Sequence, residues 1–313
     1  MMTEPAPERH TVMPGKPLIS SPTRSTAASP RKKRRTPPLE RLLRERAATL
    51  LHRRRQVKKQ GDSESIHDLR VATRRLQEVL DLFAPVLPGK PGKKVRRRAR
   101  GIRRHFAAVR DADVLAALAH DLRASVPQAQ RAAVAALEQA LRRKADRLRR
   151  GLAHGHGGTT LRVKGIRKRL DALLDRLERH PADPARVARA ARQGLARRAQ
   201  ELERARRAAA SGRPLPAHRL RIAVKRWRYA LEVLHASSLG PFTTAIEEAR
   251  RVQEKLGSLH DLDVLLDLLR RSPRTRPLRA GLAARRRDLW NACRPLVAAY
   301  GVAAVRGLRR GRA

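Results

Sequence analysis

The stretch His67-Asp-Leu-Arg70-Val-Ala-Thr-Arg74-Arg75-Leu-Gln-Glu78-Val-Leu80 decides the fold, because the chain writes it twice. It returns as His218-Arg-Leu-Arg221-Ile-Ala-Val-Lys225-Arg226-Trp-Arg228-Tyr-Ala-Leu-Glu232. A second word follows each copy: Arg110-Asp111-Ala-Asp113-Val-Leu115, then His260-Asp261-Leu-Asp263-Val-Leu265. From the histidine to the first aspartate is 44 residues in the first copy and 43 in the second. Words kept in order and at a steady separation mark an internal repeat. The histidine, three basic positions and a following glutamate return, while much of the sequence between them has drifted.

Between His67 and Phe83, Leu69, Ala72, Leu76, Val79, Leu80 and Phe83 fall on one side at the helical period. His67, Arg70, Arg74 and Glu78 take the opposite side, with Arg75 at its margin. From Leu39 onward the pattern is helical almost throughout. It breaks at 85–92, 125–127, 155–160, 181–184, 211–216 and 272–277, where Gly, Pro and Ser cluster. No stretch has the alternation of a half-buried strand. The expected fold is all-α, with two four-helix bundles from an internal duplication, related by a pseudo-twofold axis. Residues 1–37, rich in Pro, Ser and Thr and ending in Arg31-Lys-Lys-Arg-Arg35, read as a disordered basic arm. Residues 38–158 form the first helical half and 159–313 the second, with the Gly155-His-Gly-Gly158 stretch as the connection.

Charge bounds the partners. Lys and Arg number 74 against 28 Asp and Glu, a formal net charge of +46, so the molecule attracts polyanions. Aromatic residues are only 2% of the chain, which leaves few platforms for stacking the bases of single-stranded nucleic acid. A polyanion without bases fits better, although duplex DNA or RNA held by its phosphates stays open. The single cysteine, Cys293, excludes an intrachain disulfide framework and points to a reducing compartment. No apolar run is long enough for membrane insertion. Oligomeric state is not legible in this pattern.

The candidate site follows from the repeat. His at i with basic residues at i+3 and i+7 forms one row along a helix, widened by the residue at i+8. Such rows from both halves would build a positive groove whose guanidinium forks suit phosphate oxygens. In the second copy Arg228 and Tyr229 extend the row toward Glu232. A further basic segment, from Lys93 to Arg104, contributes Arg97, Arg100 and Arg104. The pairs Asp111/Asp113 and Asp261/Asp263 are read as internal salt-bridge partners or helix caps in preference to magnesium ligands. His67-Asp68 and two further His-Asp pairs suggest a metal-dependent phosphohydrolase, but the second copy keeps His218 and replaces the aspartate with Arg219. The Glu201-Leu-Glu203 string lacks the strand context of a triphosphate-tunnel enzyme. Walker loops, nucleophile elbows and His-Glu-x-x-His words are absent. No metal, cofactor or catalytic residue is expected.

Taken together, these words resemble the CHAD (conserved histidine α-helical domain) family over roughly residues 39–310. The resemblance implies paired helical bundles with a basic surface that binds inorganic polyphosphate, and a cytoplasmic protein associated with polyphosphate granules. Carried over by position, it implies phosphate contacts at His67, Arg70, Arg74, Arg75, His218, Arg221, Lys225, Arg226 and Arg228. Many relatives carry a triphosphate-tunnel domain before this one. Only the basic arm precedes it here, which favours a binder that is not an enzyme. The chain departs from a strict repeat where Arg110 stands opposite His260, and where Phe106-Ala107 stands opposite Leu256-Gly257.

Overall fold

The first repeated word begins at a well-made helix start. Asp62 accepts a hydrogen bond from the Ser65 amide at 2.7 Å, and the Ser65 hydroxyl returns one to the Asp62 carbonyl at 3.1 Å. Gly61, at φ 65°, turns the chain into this cap from the preceding helix. The computed structural model describes residues 38–153, 165–270 and 276–310. The basic arm at 1–37 and the 155–158 connection lie outside the described residues.

The regular elements described are helical: α1 (Pro38–Lys59), α2 (Ser63–Leu82), α3 (Gly89–His105), α4 (Ala107–Ser125) and α5 (Gln128–Ala153) come first. They are followed by α6 (Ile166–Arg179), α7 (Pro184–Ala208), α8 (Pro214–Ala236), α9 (Thr243–Leu269) and α10 (Arg276–Arg310). A short 3-10 turn, Ala209–Ser211, separates α7 from α8. Proline at the first turn of α7 and of α8 presets the backbone where no amide partner is needed.

Packing follows the apolar stripes. Leu69, Ala72, Leu76, Val79, Leu80 and Phe83 are all buried, as their spacing requires. Helices α1, α2, α3 and α6 close into one ring of neighbours, and α7, α8, α9 and α10 into another. The rings share a core because α2 packs on both α7 and α8, and Trp227 of α8 is among its largest buried side chains. A second core lies beyond it. There Ala119 and Leu122 of α4 and Val134 and Leu141 of α5 meet Leu262 and Leu265 of α9 and Leu278 and Leu282 of α10.

Two arrangements differ from the sequence reading. Helix α6, which falls after residue 159 in the half assigned as second, packs against α1 and α3 of the first ring. The apolar positions of α6 (Ile166, Leu170, Leu173 and Leu177) are needed to close that ring. The two halves are also not alike in their helices. The first copy breaks between α3 and α4 at Phe106, whose own side chain is buried, whereas α9 runs through the equivalent Leu256-Gly257 without interruption.

Glycines set close approaches at two places. Gly194 of α7 lies against Leu82 of α2, where an added Cβ would stand 2.7 Å from the leucine Cδ2. Gly212, at φ 65°, ends the 3-10 turn beneath Trp290, with room for no side chain: a Cβ would lie 2.3 Å from the indole Nε1. We therefore expect Gly212→Ala to cost about 2 kcal/mol, from the left-handed backbone together with overpacking. Gly101→Ala, in the open interior of α3, gains about 0.5–1 kcal/mol. Urea unfolding followed by circular dichroism gives both values.

Candidate anion-binding site

Helix α2 buries its leucines on the core side and so must carry its basic row into the contact with α8. Arg70 is only 9% exposed, and its guanidinium donates a 2.7 Å hydrogen bond to the carbonyl of Arg103 at the end of α3. Arg103 in turn donates to the Gln77 side chain at 2.8 Å. The two arginines thereby lock α3 to α2 and hold their own charges in place.

Arg74 is the hub. Its charge bears on His67 and Arg70 of α2, Arg103 of α3, Arg110 of α4, and Arg221 and Lys225 of α8. Burial, followed by the repulsion of Arg74, Arg221, Arg103 and Arg70, pushes the Lys225 ammonium down to about 7. Burial and then Arg74 push Arg70 down to about 10. Arg103, Arg110 and Arg221 are lowered as well, each chiefly by burial. Asp111 relieves Arg70 and Arg110, and Asp261 relieves Arg221 and Arg110. Burial nevertheless raises the Asp261 carboxyl. Asp113 also relieves Arg110, Asp81 relieves Arg103 and Asp68 relieves His67, but these three are paired with Arg149, Arg96 and Arg53. The cations still outnumber the carboxylates and leave a positive, partly desolvated centre, which is costly unless an anion enters it.

The histidines take different roles in the two copies. His67 stands at the end of its row, where partial burial and then Arg110 lower its imidazole. His218 and His260 instead face each other, Nδ1 to Nδ1 at 3.1 Å with ring centroids 4.3 Å apart. Burial and then His218 hold His260 down at about 4, so one neutral ring donates to the other. The departure of Arg110 from His260 thus has a physical consequence. One copy places a permanent charge where the other places a neutral ring.

The remaining candidates separate. Arg75 and Arg228 both reach Glu232, each at 3.5 Å, and Arg228 also lies over the Tyr229 ring at 4.8 Å. Arg226 is exposed and stands 3.6 Å from Glu201. Arg97, Arg100 and Arg104 are exposed on α3, and of these Arg100 presses on Arg103. The structure thus brings His67, Arg70, Arg74, Arg221 and Lys225 around one centre, with His218 beside Arg221 and Lys225. It adds Arg110 and His260, which the repeat reading quoted but did not select, and Arg103 of the basic 93–104 segment. Arg103 lies in the last turn of α3 and Arg110 in the first turn of α4, on either side of the break at Phe106.

The acidic words are structural. Asp113 pairs with Arg149 of α5, and Asp263 with Arg286 of α10 at 2.7 Å, so each Asp-x-Asp word ties its helix to the next one. Asp68 pairs with Arg53 of α1 at 3.1 Å, and His120 meets Glu138 at 3.2 Å. Asp68 and His120, each from a His-Asp word weighed above as a metal site, thus have side-chain partners in the protein. Among the described residues no cluster of three His, Cys, Asp or Glu side chains stands ready to hold one. No described helix is long and apolar enough to cross a membrane.

A helical scaffold with a cationic centre between its two rings defines a class of domain. The model of the CHAD domain matches residues 41–270, and the chain belongs to the CHAD family. Two solved structures share the fold. The crystal structure of the CHAD domain from the plant Ricinus communis is 24% identical, with a TM-score of 0.57 over 88% of this chain and 92% of that one. PptA from Streptomyces chartreusis is 19% identical, with a TM-score of 0.54 over 87% of this chain and 98% of that one. Among curated proteins none matches.

The lowered lysine gives a pH signature. The folded protein releases the Lys225 proton near pH 7 and the unfolded chain near the ordinary 10.5, so between these values the unfolded chain holds more protons. In buffer free of polyanions, stability should therefore rise with pH from about 7 toward 10.5. Lys225→Met should raise the melting temperature at pH 7 and flatten that rise. A melting temperature lowered by the substitution would mean that the ammonium has a stabilising partner.

Proposed function

We propose that this protein binds inorganic polyphosphate at the centre formed by His67, Arg70, Arg74, Arg103, Arg110, His218, Arg221 and Lys225, and does so without catalysis. The observation that carries the reading is the position of Arg74, among cations from four helices that Asp111 and Asp261 relieve, while the other carboxylates acting there, Asp68, Asp81 and Asp113, are paired with Arg53, Arg96 and Arg149. Family membership supports polyphosphate as the ligand, and the net charge of +46 supports a long polyanion. Phosphate oxygens take the place of the missing carboxylates, accepting charge-assisted hydrogen bonds from guanidinium groups already held in position. Much of the binding free energy is then charge neutralisation with release of counterions, so affinity falls steeply with salt. The aspartates of the repeated words stay engaged with arginines and position helices. The protein is expected in the cytoplasm, on polyphosphate granules.

The test is competition between long-chain polyphosphate and duplex DNA at near-physiological salt, with wild type and Arg74→Gln. Arg74 is chosen over Arg70, whose hydrogen bond to α3 is part of the fold. Polyphosphate should be preferred, and Arg74→Gln should weaken it about tenfold or more, as loss of one charge-assisted hydrogen bond at a buried centre implies. Arg97→Gln and Arg104→Gln, on the exposed face of α3, should change affinity less than about twofold. DNA binding equal to polyphosphate binding, and unaffected at Arg74, would transfer the function to a duplex held by its phosphates.

A further inference from the structure

A second set of cations at the contact of α2 with α8 lies outside the centre described above. Residues Arg74 and Arg75 diverge by about 100° around α2. Where Arg74 enters the central cluster, Arg75 turns to Glu232 of α8, whose other oxygen lies 3.5 Å from Arg228. Arg46 of α1 stands beside them, its charge acted on by Arg75 and Glu232. The Nε atoms of Arg46, Arg75 and Arg228 are all buried and complete no hydrogen bond. Buried guanidinium donors without acceptors are costly, and one carboxylate cannot serve three forks. Glu45 also acts on Arg46, but it is exposed and stands 3.9 Å from Arg41.

A comparable cluster at α7 has more carboxylates, although the Arg96 Nε there likewise completes no hydrogen bond. There Arg198 donates to Glu78 at 2.8 Å and to Glu201 at 3.0 Å, Arg96 stands 2.8 Å from Asp81, and Arg226 lies 3.6 Å from Glu201. Three arginines meet three carboxylates in that cluster. At α1, three arginines meet Glu232. The α1 cluster has the cations of an ion-pair network, with Glu232 between them and the exposed Glu45 acting on only Arg46 of the three, one carboxylate fewer than at α7.

We propose that Arg46, Arg75 and Arg228 form a second oxyanion subsite, which takes a further phosphoryl group of the same polyphosphate chain held at Arg74. The inference rests on the central reading and deepens it: the protein selects for chain length, because a short chain fills the centre and only a longer one continues around α2 to the α1 cluster. Burial, and then Arg75, depress Arg46, as expected for a cation short of its anion.

The experiment is calorimetric titration of the full chain with tripolyphosphate and with long-chain polyphosphate, comparing wild type, Arg46→Gln, Glu232→Gln and Arg74→Gln. Circular dichroism confirms that each is folded. Arg46→Gln should weaken the long chain about fivefold and lower the salt slope by about one, leaving tripolyphosphate as in wild type. Glu232→Gln, which removes the competing carboxylate, should strengthen the long chain. Opposite shifts of these two variants support the subsite, and every other pattern overturns it. Should Arg46→Gln not fold, the direction of the Glu232→Gln shift decides alone. Arg74→Gln separates the two claims: loss of both ligands keeps the central site, and retention of both removes it whatever the α1 variants do.

Discussion

The structure depends on a conflict between burial and charge at one helix contact. Helix α2 must turn its leucines into the core, and its remaining surface meets α8 and α3, so its arginines cannot all reach water. An isolated cation in such a place is expensive, and several together are more so. This fold holds them by fixing each to something neutral or to a limited anion. Arg70 is held by the Arg103 carbonyl, Arg103 by Gln77, and Arg221 and Arg110 by the field of Asp261. What is left over is positive potential already organised in space.

That arrangement suits a ligand that is all charge and no base. Pre-positioned forks lose little freedom when phosphate oxygens arrive, and a desolvated centre strengthens each contact. The same design sets the pH behaviour. A bound polyanion favours the charged form of Lys225 and of the His218–His260 pair, so binding near neutral pH takes up protons. The Arg110 end of the centre stays charged throughout, and the histidine end follows the pH.

Much of this was legible in the sequence. The spacing of Leu69, Ala72, Leu76, Val79, Leu80 and Phe83 placed the buried face of α2 residue by residue. The all-helical class followed from the same periodicity. Three things were not legible. The exposed run at Arg97, Arg100 and Arg104 reads like the rest of the basic pattern, because charge density in one dimension does not say which side of α3 faces a partner. The role of Arg75 depends on Glu232, an ion pair whose partners lie on different helices and which no local spacing encodes, whereas Arg228 meets the same carboxylate at i,i+4 within α8. The place of α6 was missed because its apolar stripe fits either ring equally well by period; only the packed structure assigns it to α1 and α3.

The most direct test is the structure of the complex with polyphosphate, determined by crystallography with tripolyphosphate bound. The account predicts phosphate oxygens within hydrogen-bond distance of Arg74, Arg221 and Lys225, between α2 and α8. Phosphates resting only on the outer face of α3, at Arg97 and Arg104, with Arg74 untouched, would contradict it.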